Sequence, residues 1–244
     1  MNTQIEDVRK IIKNSKNIVF FGGAGISTAS GIPDFRGKEG LYKLKSEYGV
    51  SYEEMLSHTY YEFNPSNFFK FYKSSMVHLE AKPNPAHIAL AEYEHKYPHK
   101  LTVITQNIDG LHQIAGSSNV IELHGSIYRN YCEKCHKAYS LDDIMKLDNV
   151  PKCKCGGKIK PDVVLYEEPL DQNVILSAVN AIENADVLIV GGTSLNVYPA
   201  AGLISYFRGN KIVLINYEKT NKDEYANYIF HDDITKILPE ILGE

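Results

Sequence analysis

Three kinds of segment are missing from this chain of 244 residues. No stretch approaches the roughly 18 consecutive apolar residues of a membrane-spanning helix, and residues 1–17 read as a polar, amphipathic helix without the apolar core of a secretory signal. We therefore expect a soluble, cytoplasmic protein with no membrane partner. A run of like charges is also missing, and a formal net charge of −4 gives no basic surface for the phosphates of nucleic acid. A direct nucleic-acid partner is therefore disfavoured.

Short, continuous apolar runs recur along the chain, with helical patterns between them. Because such runs fit strands that are buried on both faces of a parallel sheet, they predict a doubly wound, Rossmann-like α/β fold. The predicted strands are residues 18–21, 101–105, 120–123, 163–166, 187–190 and 212–215. The predicted helices are residues 84–97, 178–186 and 198–208.

Two stretches do not follow this alternation. Residues 37–83 are rich in Tyr, Phe and Lys, and residues 126–160 contain every cysteine. Both are interpreted as insertions that form a small, discontinuous helical and metal-binding lobe. The large Rossmann-like domain is then predicted to comprise residues 1–36, 84–125 and 161–244.

The four cysteines are too few and too close together for the disulfide framework of a secreted protein. Cys132 and Cys135 form a C-x-x-C pair, and Cys153 and Cys155 follow as C-x-C. Two pairs at this separation are typical of a zinc ribbon, in which four thiolates complete a tetrahedron. Since four protein ligands leave no position for water, the zinc is predicted to be structural.

The second cysteine pair has a shorter spacer than the first. The following glycines, Gly156 and Gly157, are expected to relieve this tight turn by adopting positive φ. A redox C-x-x-C is the alternative interpretation, but it leaves the second pair unexplained.

A glycine-rich loop follows the first predicted strand, where residues 22–28 read GGAGIST. Such a loop lets backbone N–H groups approach a pyrophosphate at the start of a helix. Against the dinucleotide template G-x-G-x-x-G, Gly23 and Gly25 fit, but Thr28 stands at the third glycine. The mismatch disfavours a dehydrogenase, and the loop alone is also compatible with a plain tight turn.

Residues 24–37, AGISTASGIPDFRG, resemble the signature of the sirtuin family almost residue for residue. The resemblance spans residues 18–218 and implies an NAD-dependent protein-lysine deacylase that consumes NAD as a co-substrate and holds one structural zinc. Besides the cysteine cluster, the further matching blocks are TQNIDGLH at 105–112, LHG at 123–125, KPDVV at 160–164 and GTSLNVYPA at 192–200.

The resemblance implies four groups of NAD-binding residues. The first lines the phosphate loop and a segment that closes over NAD, the second forms the nicotinamide pocket, the third follows the strand at 187–190, and the fourth lies near the adenosine. In this order they are Ala24, Thr28, Asp34, Phe35 and Arg36; Gln106, Asn107, Ile108 and Asp109; Thr193 and Ser194; and Asn216, Glu218, Asp233 and Ile234. Without the resemblance, Asn107 and Asp109 would be interpreted as a turn before Gly110, and Arg36 as a solvated surface side chain.

His124 follows the predicted strand at 120–123, and the resemblance identifies it as the catalytic base. In the implied reaction the amide oxygen of the acyl-lysine attacks the anomeric carbon of the nicotinamide ribose, and nicotinamide leaves. His124 then accepts a proton from a ribose hydroxyl, so that the acyl group moves to ADP-ribose and free lysine is released. The alternative interpretation is a hydrogen-bonded structural histidine.

Segments 163–168 and 192–197 resemble the two edges between which sirtuins hold an acyl-lysine peptide as an added strand. This chain departs from the family at Glu167, where glycine is common, and at Asn196, where an apolar residue is frequent. Glu167 would favour peptides with basic residues beside the lysine. We therefore expect acyl-lysine proteins or peptides, above all acetylated ones, as the binding partners.

The acyl preference follows from a second comparison with the family. Relatives that remove succinyl or malonyl groups carry Tyr-x-x-Arg, and here Tyr72 matches while Ser75 stands at the arginine. An unpaired carboxylate in an apolar tunnel costs several kcal/mol, so acetyl or another neutral acyl group is predicted. Lys70 or Lys73 would have to replace the missing cation for succinyl to be accepted.

Two other functions stay open on the sequence. A mono-ADP-ribosyltransferase would use the same pocket, and a non-catalytic NAD- and zinc-binding interaction module would need no base. The intact His124 and the two peptide edges favour deacylation over both.

Overall fold

The computed structural model describes residues 3–34, 49–147, 149–220 and 222–243. Its strands are β1 (Ile18–Gly22), β2 (Leu101–Thr105), β3 (Val120–Glu122), β4 (Gly125–Cys132), β5 (Ala138–Ser140), β6 (Ile159–Val163), β7 (Val187–Gly191), β8 (Lys211–Ile215) and β9 (Tyr228–Phe230). The six-stranded main sheet has the order β3-β2-β1-β7-β8-β9, and all its neighbouring strands are parallel. The carboxyl ends of all six strands therefore lie along one edge, where ligands of open α/β sheets bind.

Helices cover both faces of this sheet. The helices are α1 (Thr3–Asn14), α2 (Tyr52–Met55), α3 (His58–Phe63), α4 (Pro65–Phe71), α5 (Pro85–Lys96), α6 (Leu111–Ala115), α7 (Leu141–Met145), α8 (Gln172–Glu183) and α9 (Ile234–Leu242). Alternate residues of β1 point to opposite faces, so Phe20 packs with α1, α5 and α9 while Phe21 packs with α8. Within the described residues no helix is both long and apolar enough to cross a membrane.

A second, antiparallel sheet has the order β5-β4-β6. On one side it packs against the aromatic side chains of α3 and α4, including Tyr61 and Phe68, through Ile127 and Val163. At its far end lies a small apolar cluster around Cys132 and Ile159. The small sheet thus connects the helical insertion to the cysteine cluster.

Five of the six predicted strands are confirmed as members of the parallel sheet. The predicted strand at 163–166 is wrong, because residues 159–163 form β6 of the antiparallel sheet and Tyr166 makes only an isolated bridge with Ser57. Strand β9 was not predicted. The predicted helix at 178–186 begins earlier, at Gln172, because the side chain of Asp171 caps it.

The predicted helix at 198–208 is a 3₁₀ helix over Ala200–Tyr206. The helix predicted at 84–97 is confirmed as α5, with Asn84 as its N-cap. The domain boundaries stay a prediction, and β6 runs across the predicted boundary between residues 160 and 161.

Candidate active site

Three loops meet at the carboxyl edge of the main sheet, after β1, β2 and β7. The amide of Gly25 donates to the carbonyl of Gly192 at 2.8 Å, and a Cβ built on Gly25 would lie 2.8 Å from that same oxygen. The side chain of Gln106 donates to Thr193 Oγ1 at 3.1 Å. Glycine is therefore required for the first loop to approach the third, and Gln106 links the second loop to the third.

Ser27, Asn107 and Asp109 form a hydrogen-bonded group between the first two loops. Ser27 Oγ donates to Asp109 Oδ2 at 2.7 Å and accepts from Asn107 Nδ2 at 3.0 Å. The other carboxylate oxygen of Asp109 accepts from the amide of Leu111 at 2.9 Å. Burial raises the pKa of Asp109, while the bonds from Leu111, Ser27 and Asn107 oppose that rise. The family resemblance did not select Ser27; its position inside the glycine-rich loop is the signal that could have.

His124 lies between β3 and β4, and its ring is oriented by one backbone contact. Its Nδ1 lies 2.8 Å from the carbonyl oxygen of Gln106. A carbonyl can only accept, so Nδ1 carries the proton and Nε2 is the unprotonated nitrogen of the neutral ring. Burial lowers the pKa of His124 from its ordinary value, with the Gln106 contact opposing the shift. The imidazole is therefore neutral at physiological pH, with Nε2 able to accept a proton.

The outer part of the phosphate loop is more exposed than the group around Ser27. Ala24 is half-buried and Thr28 is exposed, with Thr28 Oγ1 donating to the carbonyl of Gly25 at 3.1 Å. Asp34 is half-buried. Phe35 and Arg36 lie outside the described residues, so their predicted contact with NAD remains a prediction.

The residues predicted near the adenosine lie after β7, β8 and β9. Ser194 follows Thr193 and is half-buried, whereas Glu218 is exposed; Asn216 Nδ2 donates to the carbonyl of Glu218 at 2.8 Å. Asp233 caps α9 by accepting from the amide and hydroxyl of Thr235. Ile234 is 5% exposed and belongs to the apolar core.

These positions separate the predicted adenosine residues into two kinds. Asn216 and Glu218 sit at the carboxyl edge, as the resemblance implies, with surface open to a ligand. Asp233 and Ile234 already have structural tasks in capping and core packing. The roles of all four in binding NAD remain predictions.

Ile108 connects the nicotinamide loop to the small sheet. Its carbonyl accepts from the amide of Ile127 at 3.0 Å, and its side chain packs against the aromatic cluster of α3 and α4. The segment between β2 and α6 is thus held from both sides, by Ser27 on the phosphate loop and by Ile127 on β4.

The predicted peptide edge at 163–168 is fixed to the start of α3. Glu167 has a φ of 73°, and its Oε2 accepts from the amide of Thr59 at 2.9 Å and from its hydroxyl at 2.6 Å. Glu168 accepts from the amide of Leu165 at 2.9 Å and lies 2.8 Å from His58 Nδ1. One carboxylate oxygen of Glu167 is therefore already occupied, which weakens its predicted attraction for basic peptide residues. Asn196, on the opposite edge, is exposed.

The residues that would recognise an acidic acyl group lie near the aromatic cluster. Tyr72 is 1% exposed, and its hydroxyl lies 3.5 Å from the carbonyl oxygen of Ile127. Ser75 stands where the arginine would be and makes a contact with the hydroxyl of Ser74 at 3.2 Å. The ammonium of Lys73 donates to the carbonyl of Leu147.

The four cysteines lie together at the end of the small sheet. The sulfur atoms of Cys132 and Cys155 are 3.5 Å apart, those of Cys135 and Cys153 are 3.6 Å apart, and all four lie within 4.8 Å of one another. A disulfide requires about 2.05 Å, whereas sulfurs at about 2.3 Å from one zinc are spaced by roughly 3.8 Å. The four thiols therefore fit a tetrahedral zinc site.

Only one of the two glycines after the cysteines behaves as predicted. Gly156 has a φ of 84°. Gly157 does not adopt positive φ, but a Cβ there would lie 2.8 Å from the sulfur of Cys132. Gly157 is thus required by close approach to a metal ligand rather than by backbone conformation.

A parallel sheet with a glycine-rich loop at its carboxyl edge, together with four thiols on an inserted sheet, defines a Rossmann-type nucleotide-binding protein with a zinc lobe. The sequence pattern of the Sir2 family matches residues 23–199. The chain therefore belongs to the Sir2 family, the sirtuins.

Individual relatives agree with this assignment over nearly their whole length. The chain is 55% identical over 244 residues to an NAD-dependent protein deacetylase of Clostridium perfringens, covering 99% of this chain and 100% of the relative. It is also similar to a solved Sir2 complex with p53 peptide and NAD⁺, with a TM-score of 0.86, 36% identity and coverage of 98% and 97% of the two chains. A Sir2 complex with deacetylated p53 peptide and 3′-O-acetyl ADP-ribose gives a TM-score of 0.88 at 37% identity, again covering 98% and 97%.

Proposed function

We propose that this protein is an NAD-dependent protein-lysine deacetylase, which transfers the acetyl group to ADP-ribose and releases nicotinamide and free lysine. The observation that carries the proposal is the orientation of His124. Its Nδ1 faces the carbonyl of Gln106 at 2.8 Å, which leaves Nε2 as a base beside the loop that bears Asn107 and Asp109. The close relatives of the chain are deacetylases, in keeping with this arrangement.

The chain's own residues divide the work of the reaction. Bound NAD supplies the glycosidic bond whose cleavage releases nicotinamide. Asp109, with the backbone of Ile108, would hold the carboxamide, and Asn107 would lie near the ribose. His124 Nε2 would accept the proton of a ribose hydroxyl, and the developing imidazolium would be stabilised by the hydrogen bond from Nδ1 to Gln106.

The remaining NAD-binding residues would hold the phosphates and the adenosine. Ala24 and Thr28 with Asp34, Phe35 and Arg36 would bind or cover the phosphates, where the guanidinium of Arg36 is suited to an anion. Gln106 would belong to the nicotinamide pocket with Asn107, Ile108 and Asp109. The residues predicted to contact the adenosine and its phosphate are Thr193, Ser194, Asn216, Glu218, Asp233 and Ile234. Each of these roles is tested by the effect of substitution on the KM for NAD.

The zinc would be structural. Cys132, Cys135, Cys153 and Cys155 would supply all four ligands of the ion, so no position would be open for water or substrate. Zinc would instead hold the turn after β4 against the turn before β6.

We further propose that the acyl group is neutral. The Tyr72 hydroxyl lies against the Ile127 carbonyl, Ser75 offers no charge, and Lys73 is directed at the carbonyl of Leu147. Tyr72, Ser75 and Lys73 therefore offer no cation to a carboxylate at this place, and burying a carboxylate unpaired costs several kcal/mol. Acetyl-lysine is the simplest substrate that meets this condition.

The test is incubation of the purified protein with NAD and an acetyl-lysine peptide, while nicotinamide and peptide mass are followed together. One nicotinamide released per acetyl group lost supports the deacetylase. Nicotinamide release without acetyl loss supports ADP-ribosyl transfer or NAD hydrolysis. If neither nicotinamide release nor acetyl loss is detected, a binding module is supported. A succinyl peptide in parallel tests the acyl preference, and comparable rates on both peptides would contradict it.

We place the protein in the cytoplasm. Its four cysteines are spaced as the ligands of a metal and not as disulfides, and such thiols persist in a reducing compartment. Cell fractionation tests the location.

A further inference from the structure

The first turn of α5 does more than begin a helix. Asn84 is 6% exposed, and its Oδ1 caps the helix by accepting from the amide of Ala86 at 3.0 Å. Its Nδ2 donates to the carbonyl of Ile26 at 2.7 Å and to Ser30 Oγ at 2.9 Å. An N-cap needs only an acceptor, so these two donated bonds have a different task.

Both donated bonds hold the phosphate loop. This loop consists of two 3₁₀ turns, Ala24–Ile26 and Thr28–Ser30, and 3₁₀ turns in general have less favourable hydrogen-bond geometry than an α-helix. Its position therefore depends on longer-range contacts. Gly25 anchors its start to Gly192, Ser27 anchors its middle to Asp109, and Asn84 anchors both ends of the segment from Ile26 to Ser30.

The same helical turn also touches the other wall of the site. The backbone amide of Asn84 donates to His87 Nδ1 at 3.4 Å, and the His87 ring packs edge-on against His112 with 4.8 Å between ring centroids. His112 belongs to α6, which starts two residues after Asp109. One turn of α5 thus contacts both the phosphate loop and the helix that follows the nicotinamide loop.

We propose that Asn84 is a positioning residue for NAD binding, whose side-chain amide holds the phosphate loop in the shape that receives the pyrophosphate. The proposal rests on the function proposed above. Because the loop is fixed before NAD arrives, less conformational freedom is lost on binding. Asn84 itself touches no reacting atom.

The decisive variant is Asn84→Ser. Serine is as good an N-cap as asparagine, but its hydroxyl is too short to cap α5 and reach the loop together. The matched control is Asp171→Ala, which removes the N-cap of α8, where Asp171 accepts from the amides of Asn173 and Val174. Asp171 is exposed, and among the described residues its side chain bonds only to the first turn of α8, so this variant reports the effect of losing a cap alone.

Three measurements separate positioning from simple stability. Calorimetric titration with NAD gives the Kd, steady-state kinetics give the KM for NAD and kcat, and hydrogen exchange without NAD gives the protection of residues 26–32. For Asn84→Ser we expect an NAD Kd and KM raised about tenfold, or about 1.4 kcal/mol, which is within the range that the loss of two hydrogen bonds allows. We expect kcat to change less than the KM, and exchange at 26–32 to be faster than in the wild type.

For Asp171→Ala we expect a lower Tm with wild-type NAD affinity and wild-type exchange at 26–32. The proposal is overturned if Asn84→Ser matches Asp171→Ala in NAD affinity and in exchange. If the wild-type protein does not bind NAD, the proposed function fails instead. In that case the exchange of residues 26–32 still shows whether Asn84 holds the loop.

Discussion

Gly125, next to His124, gives the sharpest test of how the backbone places the catalytic base. Its φ is 75°, and a Cβ built there would lie 1.9 Å from the carbonyl oxygen of Asp162 on β6. Gly49 has nearly the same φ, 76°, and no described residue lies within 4 Å of a Cβ built there. Against the described residues, alanine at Gly49 meets backbone strain alone, whereas alanine at Gly125 meets the same strain and a clash.

The expected magnitudes follow from these contacts. Positive φ costs a residue with a Cβ about 1–2 kcal/mol, and this cost is common to Gly49→Ala and Gly125→Ala. To relieve the clash, β4 and β6 must separate by about 1 Å. This separation weakens the hydrogen bond from the Val164 amide to the His124 carbonyl and the next hydrogen bond between the two strands, at a cost of about 1 kcal/mol each. We expect Gly125→Ala to be less stable than Gly49→Ala by about 2–3 kcal/mol, or by roughly 4–12 °C in Tm for a chain of this size.

The assay is thermal unfolding of both variants beside kcat/KM for an acetyl-lysine peptide. Since β4 begins directly after His124 and the His124 carbonyl accepts from Val164, Gly125→Ala should also lose activity at temperatures where it is still folded, while Gly49→Ala should not. Equal Tm values for the two variants would refute the steric argument. A fall in Tm without loss of activity would refute the proposed link between the pairing of β4 with β6 and the position of His124.

Four further predictions address the base, the metal and the buried histidines. His124→Tyr should fold and hold zinc but lose at least about 100-fold in kcat; full turnover would contradict its role as the base. Removal of zinc by a chelator should unfold the small sheet, seen as loss of tyrosine near-ultraviolet circular dichroism and of activity; activity that survives complete removal would argue against a structural metal. Because burial lowers the pKa of His124, kcat/KM should hold as pH falls through about 6.5, the ordinary histidine pKa, and decline only below it; a midpoint above that value would contradict the neutral base. Burial also lowers the pKa of His87 to about 4 and that of His112 to about 3. As pH falls below about 6.5 the unfolded chain therefore binds these protons before the folded chain does, and the free energy of unfolding decreases by about 2 kcal/mol per histidine at pH 5. Chemical unfolding of the wild type and of His112→Phe at pH 5 and 7.5 would measure this loss.

The parallel sheet could be predicted because its strands are buried on both faces and therefore continuously apolar. The prediction of a strand at 163–166 is wrong because the actual strand, β6, is not continuously apolar. Ile159, Pro161 and Val163 are buried and alternate with the half-buried Lys160 and Asp162, which is the pattern of a one-sided antiparallel strand. A search for continuous apolar runs passes over such a strand, and β9, with three residues, is too short for any periodic signal.

The candidate site likewise has features that the sequence predicts and features that it does not. Motifs bring Gln106, Asn107, Asp109 and His124 to one edge, because residues that follow parallel strands end up together. The contacts between loops, such as those of Ser27, depend on distances that only the folded chain defines. The sequence around Asn84 predicts a helix cap, but it gives no indication of the two hydrogen bonds that the Asn84 side chain donates to the phosphate loop.

The order of strands in the main sheet has a consequence for synthesis of the chain. β1 pairs with β2 on one side and with β7 on the other, so Ile18 meets Val187. Contacts so distant in sequence form slowly, because a long loop must close first. A nascent chain that ends before Val187 lacks both β7 and the loop of Thr193 that follows it. The loops that are proposed to bind NAD are therefore complete only after β7 and β8 have been synthesised.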